Sequence, residues 1–216
     1  VLPLLLLTLD AWRMKSEAGR AKSHVAAGRQ VFVMEGVWLF VLAVNFWNIF
    51  GAGVFGSLIN LPIVNYYEHA TYMTGNHAHA AMFGVKGNIA LGGMLFCGQH
   101  LLPKALWNEK LIKTSFWSLQ IGLLMMMTMD LFPIGMYQLM IVFQEGLWYA
   151  RSQEILTGPV WRFFTYARSI GGTLFIVGGV FPLIWLFVSR AGSLRKETPE
   201  LEQEGEWTVY EKDWAA

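Results

Sequence analysis

The chain has 216 residues, of which 55% are hydrophobic, 15% aromatic and only 14% charged. About a quarter of the residues of a soluble domain are charged, so this composition excludes an ordinary water-soluble fold. A net charge of +1 offers no field for nucleic acid, and a single cysteine, Cys97, excludes a disulfide or a paired-cysteine metal site.

The sequence opens on Val1 within an apolar stretch, residues 1–12, with no basic flank or small-residue cleavage site of a signal peptide. The simplest expectation is a span cut at its start, in the C-terminal piece of a longer protein. Four further apolar runs follow, at residues 31–59, 77–102, 114–143 and 169–189. Each is long enough to cross a bilayer, which takes about 20 residues. The expected architecture is therefore an all-α polytopic bundle over residues 1–190, in contact with lipid, followed by a polar tail over residues 191–216. Basic residues in the short loops set orientation. Arg13, Lys15, Arg20, Lys22 and Arg29, then Lys104, Lys110 and Lys113, and finally Arg190, Arg195 and Lys196 alternate with a loop, 61–76, that has none. This pattern predicts a cytoplasmic tail and places the start of the second run at the outer side of the membrane.

Within the first run, Gly51, Gly53 and Gly56 match the spacing of a dinucleotide-binding loop. That fingerprint needs a preceding strand. Inside an apolar span, the same small residues instead allow close packing of helices or of a flat cofactor.

The second run opens with TGNHAHAAMFGVKGN. Residues two apart on a helix point about 200° from each other, so His77 and His79 cannot clamp one ion from one face. Either they are unrelated, or one helix lies between two cofactors and gives a ligand to each. Ionisable residues in spans are costly and usually functional. Ala78, Ala80, Ala81, Gly84 and Gly87 leave room for flat, bulky groups, and histidine is a common haem ligand. The third run carries Met125, Met126, Met127 and Met129, which spray around the helix as gap-fillers. It also carries Pro133 and Gly135, which predict a kink, and Asp130, an acid at mid-span. Lys86 lies seven residues after His79, on about the same face and roughly 10 Å deeper. An unpaired charge there is expensive, so a Lys86–Asp130 pair is expected. Cys97 is expected as a small core residue.

The run NYYEHATYMTGNHAHAAMFGV, residues 65–85, resembles the helix-ten region of the haem–copper oxidase superfamily, above all the catalytic subunit of bacterial nitric oxide reductases. FWNIFGAGVFGSLINLPI (residues 46–63) and GLWYARSQEIL (146–156) resemble its quinol-dependent branch. The resemblance implies the C-terminal part of the haem–copper oxidase core in a bacterial inner membrane. It implies that His77 is the proximal ligand of a high-spin haem b3 and that His79 is an axial ligand of a low-spin haem b. The non-haem iron of that family is held by residues of earlier helices, which have no counterpart in this sequence. The implied activity is respiratory, denitrifying reduction of two NO to N2O, with quinol or cytochrome c as donor and the upstream part of the same chain completing the site. Members of the quinol-dependent branch usually carry an Asp after the Gly of a stretch matching RSIG; here Gly172 follows Gly171, while Trp148 on the quinol side is retained. This departure puts direct quinol oxidation in question and favours, as an alternative, a nitric oxide dismutase releasing N2 and O2. An oxygen-reducing cytochrome oxidase relative and a non-enzymatic bundle with interfacial histidines are the other readings.

Overall fold

The computed structural model describes residues 35–102 and 107–190 and, before them, residues 2, 3, 5, 6, 8–10, 12 and 13. Among the described residues there is no strand. Four helices are long and apolar enough to cross a membrane: α1 (Gly36–Ile59), α3 (Tyr72–Gln99), α4 (Glu109–Glu145) and α6 (Pro159–Val188). Two short helices, α2 (Pro62–Glu68) and α5 (Gln153–Leu156), fill the connections α1–α3 and α4–α6 at one end of the bundle. The described residues of the first apolar stretch are helical, and the Asn45 side chain of α1 donates a hydrogen bond to Thr8.

Helices α3, α4 and α6 start ahead of the apolar runs, for local reasons. Helix α3 starts where the Thr71 side chain accepts the Met73 N–H, five residues ahead of His77. Helix α4 starts where Asn108 accepts the Leu111 N–H, and it ends at Gly146, whose φ of 88° suits glycine. Its 37 residues rise roughly 55 Å at 1.5 Å each, well beyond a hydrocarbon core of about 30 Å. Helix α6 starts at Pro159, in the first turn, where a missing N–H costs nothing. Its first three turns carry Arg162 and Arg168, so hydropathy alone places the start too late. The polar tail, His24 and Lys104 lie outside the described residues.

Every span contains a stretch of wide, π-type turns, at Asn48–Phe55, Ala80–Gly87, Met127–Leu131 and Leu174–Val180. The last two stand immediately before Pro133 and Pro182. A proline ring clashes with the carbonyl four residues back, and the ladder here shifts to bonds five residues apart, Phe132 N–H to Met127 O and Phe181 N–H to Ile176 O. The break expected at Pro133 is thus a local widening of the helix.

Close packing rests on small residues. A β-carbon on Gly51 would lie 2.4 Å from that of Ala80, and one on Gly84 would lie 2.5 Å from Trp47 Cγ, so α1 and α3 touch at backbone distance. Helices α4 and α6 do the same at Gly122 and Gly171, where an added β-carbon would meet the facing carbonyl oxygen at 2.8 and 2.9 Å. Between them lies a core of Phe40, Trp47, Leu95, Ile112, Phe116 and Leu119. A polar chain crosses it: Trp47 Nε1–H donates to Gln120 Oε1 (2.8 Å), Gln120 Nε2 donates to Asn88 Oδ1 (2.9 Å), and Asn88 Nδ2 donates to Gly84 O (2.8 Å). It ties α1, α3 and α4 together and leaves no member of the chain without a partner, as buried polar groups require. Met127 is buried and Met129 exposed, as a run that sprays around its helix should be. Cys97 differs from expectation: it faces outward from α3, because Leu95 and Gly98 occupy the buried face there.

Gly84→Val should be expensive. The new side chain must displace a Trp47 ring held on its far side by Gln120, an overpacking cost of about 1–3 kcal/mol. Thermal unfolding of the detergent-solubilised protein checks this, and a wild-type melting temperature would contradict it.

Candidate functional site

The two histidines lie in the second turn of α3, beneath the short connections. Their rings go to different neighbours. The His77 ring packs on Gly56 of α1, where an added β-carbon would sit 2.9 Å from its Cε1. Its Nδ1 is 2.9 Å from the carbonyl oxygen of Gly51. His79 keeps its Nδ1 2.8 Å from the Gly75 carbonyl on its own helix. A carbonyl oxygen only accepts, so in each ring Nδ1 carries the hydrogen and donates it. The remaining nitrogen, Nε2, then has its lone pair free in both. This tautomer is the one a metal-binding imidazole needs, with the other nitrogen anchored to a carbonyl.

Two of the glycines that mimic a nucleotide loop, Gly51 and Gly56, therefore serve the histidine pocket. Gly51 supplies the acceptor and the close approach, and Gly56 the space for the His77 ring. Among the described residues no three His, Cys, Asp or Glu side chains group into a metal site. The histidines can each give one ligand, to two separate groups on two sides of α3. A flat group bearing its own equatorial ligands, such as a haem, fits that donor set.

Asp130 is fully buried on α4, and the structure corrects its expected partner. Its carboxylate pairs with Arg168 of α6, with Nε to Oδ2 at 3.5 Å. Lys86 is exposed on α3 and forms no ion pair with it among the described residues. Lys86 itself lies in the wide turns Ala80–Gly87 that follow His79, so a seven-residue spacing at 3.6 residues per turn no longer places the two on one face. Arg168 is more than a third exposed, which lets its guanidinium approach Asp130 while its stem covers the bundle surface. The signal for Arg168 was present in the sequence: Trp161, Phe164 and Arg168 recur at helical spacing ahead of the apolar run, and Gly171 continues it.

The end of the bundle above the histidines is closed by polar contacts. Gln138 of α4 accepts the Tyr72 N–H (2.9 Å) and donates to Ala150 O (3.1 Å), fixing the start of α3 to the α4–α6 connection. Arg151 donates to the carbonyl of Ala70 (2.8 Å), a residue held at φ 62°. Glu68, 2% exposed, accepts from the Thr74 hydroxyl (3.2 Å), and its backbone carbonyl accepts from Thr71 (2.6 Å). Burial raises its pKa above the ordinary 4.5, against the opposing pull of Thr74, His69 and His77. His69 itself is exposed. Sequence reasoning passed over Glu68, which reads as an ordinary loop acid; only the folded connection buries it. Trp148 is 85% exposed in the α4–α6 connection. Gly172 is half-buried, with Met126 Sδ, at 4.0 Å, the nearest atom to an added β-carbon. A carboxylate at that position has room.

A raised carboxyl pKa means that the folded state holds its proton more tightly than the unfolded one. Stability from this group is complete below pH about 4.5 and declines as pH rises through the raised folded value. Glu68→Gln should therefore flatten the loss of stability on the alkaline side of pH 4.5. Melting temperatures of variant and wild type across pH 4–8 test this, and parallel curves would contradict it.

The chain is 24% identical over 184 residues to a nitric oxide reductase subunit of Stutzerimonas stutzeri, covering 82% of this chain and 36% of that protein. The chain thus spans about a third of the length of that relative. Residues 23–174 match the family described as "Cytochrome C and Quinol oxidase polypeptide I". The chain belongs to this family, the subunit I family of the haem–copper oxidases.

Proposed function

We propose that this chain is the haem-holding segment of a membrane oxidoreductase that reduces NO, with His77 as ligand of a high-spin haem b3 and His79 as ligand of a low-spin haem b. The observation that carries the reading is the pair of anchored imidazoles. Each has Nδ1–H tied to a glycine carbonyl and Nε2 free, and their two-residue spacing sends them to opposite sides of α3. The similarity to a nitric oxide reductase subunit supports NO as the substrate.

With the haems and a non-haem iron bound, the centre supplies redox chemistry for 2 NO + 2 H⁺ + 2 e⁻ → N2O + H2O. The part of this chain is positional. Gly51 O holds the His77 ring against α1, so its Nε2 is fixed by the contact between α1 and α3 rather than by a free rotamer. Gly75 O holds His79 from within α3. One rigid helix thereby sets the separation and mutual tilt of whatever the two rings bind, and a short, constant separation favours electron transfer. Carbonyl acceptors fix the tautomer and orientation of both rings. The second-metal ligands belong to polypeptide other than these residues. Quinol or cytochrome c is the donor class, NO the substrate, and a multi-pass bacterial inner membrane the setting.

A second reading has its own observation. Gly172 leaves open the position at which quinol-oxidising relatives carry a carboxylate, and without that group an external quinol has one contact fewer. Dismutation, 2 NO → N2 + O2, needs no external donor and suits this feature.

Two outcomes test the proposal. In the membrane-expressed protein, His77→Ala should abolish the high-spin haem signal and His79→Ala the low-spin one. Each should lower turnover by at least the roughly 10–100-fold that follows loss of a ligand's support; haem content unchanged in both would remove the reading. Isotopically labelled NO, supplied without oxygen, should yield labelled N2O only when an electron donor is present. Labelled N2 with O2 and no donor would replace the reductase by the dismutase.

A further inference from the structure

The Asp130–Arg168 pair has a location that stability does not explain. Asp130 is completely buried at mid-span, and neither carboxylate oxygen has a hydrogen-bond donor. The 3.5 Å contact to Arg168 is its ion pair. Such a pair contributes little or nothing to stability over an apolar pair of similar volume, because desolvation offsets the attraction. In a bilayer, charges that face the bundle interior usually serve a function.

Its position relative to the two histidines is specific. The next residue, Leu131, packs on Gly75, its Cδ2 3.9 Å from where a β-carbon would stand. Gly75 is the residue whose carbonyl accepts the hydrogen bond of His79 Nδ1–H. One turn further along the same antiparallel contact, Gly135 meets Met73. The α4 turn that carries Asp130 therefore lies along the side of α3 that holds His79, and the carboxylate is in electrostatic reach of that ring. His77 is turned to α1, where Gly51 and Gly56 hold it. The wide turn of α4 that carries Asp130 packs on both the histidine turn of α3 and α6, and Arg168 reaches the carboxylate from α6.

We infer that Asp130, oriented by Arg168, is an electrostatic positioning residue that lowers the reduction potential of the haem held by His79 relative to that held by His77. The inference rests on the haem assignment proposed above. A fixed negative charge in a low-dielectric interior favours the oxidised, more positive state of a nearby iron, and burial and local charge are among the means by which proteins set haem potentials. The role of Arg168 is to keep the carboxylate ionised and aimed, and its own charge, carried on α6 rather than on the turn that packs on the His79 helix, offsets only part of the effect.

The test is spectroelectrochemical titration of both haems in the membrane-purified protein. Asp130→Asn should raise the low-spin midpoint by about tenfold in the reduction equilibrium, about 59 mV for one electron, and move the high-spin midpoint less. Asp130→Glu, which keeps the charge, should stay near wild type. Should Asp130→Asn fail to assemble, the double variant Asp130→Asn/Arg168→Gln, which removes both charges together, should show the same direction of shift. An unchanged low-spin midpoint in the assembled neutral variant, or an equal shift in Asp130→Glu, overturns the inference. A wild-type protein with no low-spin haem signal, or one that keeps it in His79→Ala, overturns the haem assignment itself and the inference with it.

Discussion

The backbone-distance contact between α1 and α3 is the constraint on which the rest depends. Gly51 against Ala80, Gly56 against the His77 ring and Gly84 against Trp47 are three contacts of one seam, each of which a single added methyl group would push apart. The seam is also where the acceptor for His77 is found. If α1 stood even an ångström further away, the Gly51 carbonyl would leave hydrogen-bond range and the imidazole would lose its tautomer lock. In a membrane, where lipid is as apolar as leucine, close packing of small residues supplies what hydrophobic burial supplies in water.

Polar side chains then fix the remaining helices to that seam. Trp47, which covers Gly84, is held by Gln120 of α4, and Gln120 in turn by Asn88 of α3. At the other end, Gln138 joins α4 to the start of α3 and to the α4–α6 connection. Sliding α4 along α3 would break bonds at both ends at once. The register that brings Asp130 beside the turn of His79 is therefore over-determined, as is the contact of Arg168 with Asp130 through the glycine crossing of α4 and α6. Such rigidity suits the proposed role of the two histidines, holding two haems at constant separation.

The errors of sequence reasoning have a common origin. Hydropathy located the spans but started α6 ten residues late, since Arg162 and Arg168 depress the average while the helical spacing of Trp161, Phe164 and Gly171 continues. Arg168 then reads as a loop residue, and Lys86 is left as the apparent partner of Asp130. The wide turns at Ala80–Gly87 complete the error, because extrapolation at 3.6 residues per turn fails where the ladder shifts. Glu68 and Cys97 illustrate the same limit in opposite directions: a loop acid is buried and a mid-span thiol exposed. Both outcomes turn on which neighbour covers which face.

What the sequence by itself determined is the helical, membrane-crossing class, the family, and the divergent directions of His77 and His79, because all three follow from composition, local motif or the fixed pitch of a helix. The tertiary structure alone decided that the Gly51 carbonyl anchors the His77 ring, that Gly51 and Gly56 serve its pocket, and that Asp130 answers to Arg168. Those facts depend on the register and distance between helices. No periodicity within one helix encodes them; they arise from small residues meeting on separate spans and from polar groups that must find partners across them.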